Sequence, residues 1–360
     1  MTELCSEAEL ELKRLPAYLD QITARLLTFE ATATRSGNRI DFAFPFGQAW
    51  FDMEEGRLRV GARATDRDGL ARVKDLIATA IEVYAKEEGP SILWRGDLAG
   101  ETRLPQFREM TVVNVLDLTP RMRRFRLTGD DLGRFERFGG MHVRMLFPTR
   151  DVPDPEWPTP GPNGLAVWPP AHRKPVPRAY TIRRLDVAAD WMEIDFVRHE
   201  GESIGARWAG MAVPGDQVGI MGPVGRPVPL DRQWYVLGAD ETGVPALSRM
   251  LEALAPTTQG VAFIEVADRY ERLEIANRTA IALHWIYRDG VDAGADPRLA
   301  DAIMSVEWPV ALSCFGWFAA EAKAAGSVRR CWREERGLGR DTTLTATYWS
   351  DGADGFMAGG

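Results

Sequence analysis

Residues 178–209 read RAYTIRRLDVAADWMEIDFVRHEGESIGARWA. Tyr180–Arg184 and Met192–Arg198 have the short apolar make-up of strands. A small-residue turn around Gly201 and the start of a short helix at Gly205-Ala206-Arg207-Trp208-Ala209 follow. The unpaired N–H groups of such a turn and helix start form a natural site for a pyrophosphate. At the head of the first strand, Arg178 can make paired bonds to a phosphate. Tyr180 can stack on a flat ring, and the Thr181 hydroxyl can bond to that ring's polar edge. Arg-x-Tyr-Thr alone is a common string, and an ordinary alternating strand explains it equally well. Its combination with the downstream turn is far more specific.

Working outward, further strands are expected at Thr111–Asp117, Arg121–Leu127, His142–Phe147 and Gln217–Met221. With the first two they make six short strands, which predicts a small antiparallel β-barrel over residues 105–230. Ten of the 23 prolines fall between Pro148 and Pro177, a long excursion that is either a solvated insertion or a functional loop. Past Pro214-Gly215-Asp216 and Gly222-Pro223-Val224-Gly225 the pattern changes. Strands are expected at Trp234–Gly238, Val261–Val266, Ile281–Tyr287, Pro309–Cys314 and Thr343–Trp349, with helices over Thr242–Leu254 and Phe318–Arg336. This alternation predicts a parallel-sheet α/β domain of the dinucleotide-binding kind over 231–352. Residues 1–100 predict a small α+β domain ordered helix, three strands, helix. Leu15, Leu19, Ile22 and Leu26 mark its first helix, and Leu70, Val73, Ile77, Ala80 and Tyr84 its second. The fold class is therefore multidomain, α+β followed by α/β.

The 360 residues carry a net charge of −8, which argues against a nucleic-acid protein. No apolar run approaches the roughly 20 residues of a membrane helix, and no basic, apolar leader opens the chain, so a cytoplasmic location without membrane insertion is expected. Three scattered cysteines make neither a zinc cage nor an iron–sulfur site by themselves, and no metal site is expected. Nucleophile-elbow, His-x-x-x-His and nucleotide-triphosphate loop patterns are absent. The sequence offers groups that hold a cofactor rather than groups that attack a substrate.

Residues 105–350 resemble the siderophore-interacting proteins, a branch of the ferredoxin–NADP reductase superfamily. The resemblance runs through His142-Val143-Arg144, Arg178-Ala179-Tyr180-Thr181, Asp195–Ala209 and Pro214-Gly215-Asp216. It continues in Asp240-Glu241-Thr242, Pro245-Ala246, Trp285 with Arg288, Trp317, Glu321, Arg329-Arg330, Glu335-Arg336-Gly337 and Tyr348-Trp349. Residues 8–95 resemble, more weakly, an uncharacterised bacterial domain found beside such reductases. The resemblance implies an FAD enzyme that reduces ferric siderophores with NADH, NADPH or a reduced ferredoxin. It implies that Arg178, Ala179, Tyr180 and Thr181 hold the flavin half of FAD, with Val197, His199, Ser203, Gly205 and Ala206 along the flavin and its phosphates. Asp240, Glu241 and Thr242 then occupy the nicotinamide loop, and Ala320 and Glu321 face the same crevice. Arg144 and Arg226 are the basic residues for an anionic substrate, and no side-chain acid or base is essential.

Three departures stand out. Ala320 replaces the family's usual Gly, Ala206 stands where the phosphate turn usually ends in a Ser or Thr hydroxyl, and Tyr348-Trp349 leads into Ser350-Asp351 instead of a basic residue. A general flavin or quinone reductase on the same fold, and a non-enzymatic siderophore- or flavin-binding protein, are the competing expectations.

Overall fold

The computed structural model describes residues 3–137, 140–148, 155–198 and 203–350. They fall into two compact units, one of residues up to Phe107 with Glu156–Lys174, the other of Arg108–Pro155 with Pro175 onward. In the first, β1 (Leu4–Glu11) leads to α1 (Leu15–Leu27). Then β2 (Thr32–Ser36), β3 (Arg39–Phe44), β4 (Gly47–Glu54) and β5 (Arg57–Ala64) precede α2 (Arg67–Tyr84) and the two-residue β6 (Arg95–Gly96). The sheet order is β2-β3-β4-β5-β1-β6. Leu19, Ile22 and Leu26 of α1 and Leu70, Val73 and Ile77 of α2 pack with Phe42, Phe51 and Val60 of the sheet in one core.

The expected order of helix, three strands, helix is corrected here. A strand precedes the first helix, and four strands separate the helices. β1 is hard to see because glutamates fill its outward positions. Glu7 and Glu9 reach Arg59 and Arg57 of β5 at 2.5 and 3.5 Å, while Ala8 and Leu10 face the core. β2 is exposed along its whole length and so carries no apolar signal.

The second unit begins with β7 (Phe107–Asp117), β8 (Met122–Thr128), α3 (Gly133–Arg137) and β9 (His142–Phe147). The chain then leaves for the proline-rich excursion, where β10 (Thr159–Pro160) and β11 (Ala166–Val167) form a small hairpin. This segment belongs with the first unit. Trp94 Nε1 donates to the Asn163 carbonyl (3.1 Å), Asn163 Nδ2 donates to Glu82 Oε1 (2.7 Å), and Leu165 rests on that unit's core. The chain returns as β12 (Val176–Asp186), β13 (Trp191–Val197), α4 (Ile204–Met211) and β14 (Gln217–Val224). The strands close into the expected barrel, in the order β12-β13-β8-β7-β14-β9.

The remaining elements are β15 (Trp234–Ala239), α5 (Val244–Ala253), β16 (Gln259–Val266), β17 (Ala280–Tyr287), α6 (Arg298–Ser305), β18 (Cys314–Glu321), α7 (Ala322–Arg330) and β19 (Thr343–Trp349). They form a parallel sheet ordered β17-β16-β15-β18-β19. Two expectations are corrected. The strand placed at Pro309–Cys314 lies at Cys314–Glu321, and the helix placed from Phe318 starts only at Ala322. Residues 315–321 are all buried, so the run has no two-residue alternation to distinguish it from a helix. Arg183 of β12 pairs with Glu252 of α5 at 2.6 Å, and Arg249 donates to the Ile182 carbonyl (2.7 Å). These bonds seat the sheet's first helix against barrel strand β12. Among the described residues no helix is long and apolar enough to cross a membrane.

Candidate functional site

Pairing of β12 with β9 sets the site's register, with Arg178 opposite Met145, Ala179 opposite Arg144, Tyr180 opposite Val143 and Thr181 opposite His142. Alternation along β12 then separates two groups. Tyr180 turns toward the barrel's aromatic core, its ring 4.1 Å from Phe196 and 5.8 Å from Phe147 between centroids. Thr181, almost fully buried, turns the other way, to Tyr348 of β19. Burial holds the Tyr180 phenol well above its usual pKa, with the Arg178 charge opposing.

Above the Tyr180 hydroxyl lies α4. A Cβ on Gly205 would come within 2.1 Å of Tyr180 Oη, so only glycine lets the helix start approach this closely. Ser203 caps the helix by accepting from the Ala206 N–H (3.4 Å), and Trp208 anchors it by packing against Phe125, Phe147 and Phe196. The N–H groups of Ile204 and Gly205 have no partner within the helix, as in any first turn. Val197 ends β13 beside this turn, half-buried. His199 lies outside the described residues. An arginine, a phenol, a buried hydroxyl and a glycine-lined helix start are the donor set of a diphosphate joined to a flat, polar-edged ring. The residues fit FAD.

Across from Thr181, Tyr348 Oη lies 2.6 Å from His142 Nε2, the rings meeting edge to face. Burial and the neighbouring Arg249 guanidinium push the His142 imidazole down to about 4. Burial raises the Tyr348 phenol.

The C-terminal ends of the parallel strands carry the next groups. Asp240 Oδ1 accepts from the Thr242 N–H (2.9 Å) and hydroxyl (2.5 Å), and Trp349 Nε1 donates to Oδ2 (2.7 Å). Burial and the neighbouring Glu241 push Asp240 up to about 6. Arg288 is buried between Glu241 (2.6 Å) and Glu265 (3.1 Å), and burial drives Glu265 up to about 7 against the pull of Arg288. Glu321 caps α7 through Oε2, while its buried Oε1 has no hydrogen-bond partner. Gly294 admits Glu321 and Trp349 side by side; a Cβ there would meet them at 2.8 and 3.0 Å. The expectation that Ala320 faces this crevice is corrected. Its methyl is buried with Ile303 and Val328 under α6 and α7, because β18 sends neighbouring residues to opposite faces.

Arg144 stands exposed on β9 with no hydrogen-bond partner among the described residues. Arg226, expected as a second basic group, donates to the Arg340 carbonyl. Burial, and then the charges of Arg340, Arg226 and Arg329, lower the pKa of Arg333, so these four arginines form one basic cluster beside β19. His142, Tyr348 and this cluster come from segments up to about 200 residues apart, and spacing gave no signal of their meeting.

A flavin cradle on a six-stranded barrel, joined to a parallel nucleotide-binding sheet, defines a two-domain flavoprotein oxidoreductase. Residues 111–227 match the siderophore-interacting FAD-binding domain, and residues 232–352 match the siderophore-interacting protein domain. Residues 7–95 match an uncharacterized protein conserved in bacteria. The chain is 33% identical over 238 residues to ferric vibriobactin reductase of Vibrio cholerae, covering 64% of this chain and 84% of that one. It is 31% identical over 252 residues to an NADPH-dependent ferric-chelate reductase of Escherichia coli, covering 68% and 93%. A solved siderophore utilization protein from T. fusca superposes with a TM-score of 0.61 at 33% identity, over 70% of this chain and 97% of that one. The chain belongs to the siderophore-interacting protein family.

Proposed function

We propose that this protein reduces ferric siderophores, using FAD to pass electrons from NADPH to iron on the cytoplasmic side. Bound FAD accepts a hydride and releases electrons singly, which is the conversion a nicotinamide donor and a one-electron ferric acceptor require. The chain's residues bind and orient. Arg178 and the N–H groups at the start of α4 hold the pyrophosphate, with Ser203 and Gly205 shaping that turn and Ala206 leaving the anion to backbone donors. Tyr180 and Val197 line the ring, Ala179 keeps the strand's outer side open, and Thr181 bonds the ring's polar edge. Asp240, Glu241, Thr242 and Glu321 shape the nicotinamide crevice. Glu241 does so by fixing Arg288 rather than by touching the ring. Arg144 and Arg226 attract an anionic ferric chelate.

The observation that carries this reading is the close fit of Gly205 over Tyr180, which places a helix N-terminus beside the Arg178–Thr181 strand. Hard oxygen donors prefer Fe(III) to Fe(II), so one electron loosens the chelate and frees the metal. A reduced ferredoxin is the alternative donor. The test is an anaerobic titration of the FAD-loaded protein with NADPH, then reoxidation by ferric catecholates, ferric hydroxamates and quinones. Bleaching by NADPH and fast reoxidation by ferric siderophores are expected. Reoxidation by quinones alone would overturn the substrate assignment, and failure to take up FAD would overturn the whole reading.

A further inference from the structure

The line from Thr181 through Tyr348 to His142 does more than a flavin-holding hydroxyl requires. Thr181 and His142 sit opposite each other on β12 and β9, and Tyr348 reaches both from β19, the edge strand of the other domain. The groups facing His142 are Tyr348, the backbone at Gly225 after β14, and Arg249 of α5, whose guanidinium donates to the Ile182 carbonyl. No carboxylate among them supports an imidazolium. The ring therefore stays neutral and has one accepting and one donating nitrogen. With Nε2 accepting from Tyr348, the Tyr348 oxygen accepts from Thr181, which leaves the Thr181 oxygen's own lone pairs able to accept a proton.

We propose that Thr181, Tyr348 and His142 form a proton relay that carries the proton released when the reduced flavin is oxidised; this role presupposes the flavin site proposed above. The reduced flavin anion left by hydride transfer yields two electrons to two ferric ions and sheds one proton. Over a cycle NADPH and two Fe(III) give NADP⁺, two Fe(II) and one proton. As a ring N–H is lost, Thr181 takes that proton and passes its own to Tyr348 Oη. Tyr348 passes its proton to His142 Nε2, and Nδ1–H leaves to water from the half-buried imidazole. Each bond broken is replaced by one formed, and the line resets when the imidazole exchanges its proton with water to return to the Nδ1–H tautomer and the two hydroxyls rotate back. Thr181 touches the cofactor, whereas Tyr348 and His142 act through it.

Tyr348→Phe keeps the ring packed against His142 and Trp317 and removes only the bridging oxygen. The variant should bind FAD within about threefold of wild type, because Arg178, Tyr180 and the start of α4 are untouched. Reoxidation of its dithionite-reduced flavin by a ferric catecholate should slow by about tenfold or more, the low end for a lost proton-transfer group. Millimolar imidazole should restore the variant's rate and leave wild type unchanged, a rescue that a merely structural role does not produce. In FAD-free protein, nitrogen NMR should show His142 neutral at pH 7. His142→Gln should repeat the kinetic pattern if Tyr348→Phe folds poorly. Wild-type reoxidation rates in both variants, or slow rates that imidazole does not lift, overturn the relay. So does an imidazolium at pH 7. Wild-type protein that does not bind FAD overturns the flavin reading instead, so the two failures are told apart.

Discussion

Replacing Gly205 by alanine puts a methyl where there is no room for it. The added Cβ would stand 2.1 Å from Tyr180 Oη and 3.2 Å from its Cζ, while ordinary carbon–oxygen contact begins near 3.4 Å. Either α4 lifts or Tyr180 moves by about 1 Å, the amount by which the contact falls short. Tyr180 has little freedom, since its ring lies against Phe196 and Phe147. Trp208 pins α4 to the same aromatic cluster. Overpacking of this kind costs about 1–3 kcal/mol. The strain falls on the two groups proposed to hold the flavin, so FAD affinity should drop by roughly 5- to 150-fold. Flavin fluorescence quenching on titration into FAD-free protein measures it. The double variant Gly205→Ala/Tyr180→Phe loses the phenol oxygen and leaves the 3.2 Å carbon contact as the nearest. It should therefore bind FAD more tightly than Gly205→Ala alone. Affinity unchanged in Gly205→Ala, or no recovery in the double variant, would refute the claim that this contact shapes the cradle.

Three further outcomes follow from the buried charges and the open arginine. Arg288→Leu strands Glu241 and Glu265 without their shared cation and should destabilise the protein by about 3–5 kcal/mol at pH 8, read by chemical denaturation. The deficit should shrink as pH falls and Glu265 takes up a proton; a pH-independent loss speaks against an electrostatic origin. His142 has a folded pKa of about 4 against an ordinary value of 6.5, so the unfolded chain binds the extra proton between them. Stability from this group is full above pH 6.5 and declines toward pH 4, by about 3 kcal/mol, and His142→Gln should remove that contribution from the Tm–pH curve. Asp240 and Glu265, with raised pKa values of about 6 and 7, act in the opposite sense and leave the Gln variant losing stability as pH rises through the same range. Arg144→Ala should raise KM for anionic ferric chelates several-fold at low salt and much less at high salt, with neutral chelates unaffected. Equal effects on both would assign Arg144 a structural role.

The barrel was legible from its short strands and the Gly and Pro residues that punctuate them. His142–Phe147 lies where it was expected, and the other five expected strands each overlap an observed one. Legibility failed at the two extremes of burial. β18 is buried along residues 315–321 and shows no period, and β2 is wholly exposed and shows no apolar face. β1 hid behind glutamates whose partners lie some 50 residues away in β5. In the site, contiguous groups such as Arg178–Thr181 and the turn at Gly205 could be read from the chain. Tyr348 against His142, Arg288 between two glutamates and the arginines beside β19 could not, since only the closed barrel and the parallel sheet bring them together. The local basic stretch, six of the 13 residues from His172 to Arg184, is divided in the same way. His172, Arg173 and Lys174 belong to the first unit, while Arg178, Arg183 and Arg184 belong to the barrel.

The most direct measurement is the anaerobic redox stoichiometry of the FAD-loaded protein with NADPH and a ferric siderophore, followed by flavin absorbance and Fe(II) release. Two Fe(II) should appear per NADPH consumed, with the flavin bleached by NADPH and recoloured by the siderophore. A flavin that NADPH bleaches but ferric siderophores leave reduced would contradict ferric-siderophore reduction, while leaving the flavoprotein fold intact.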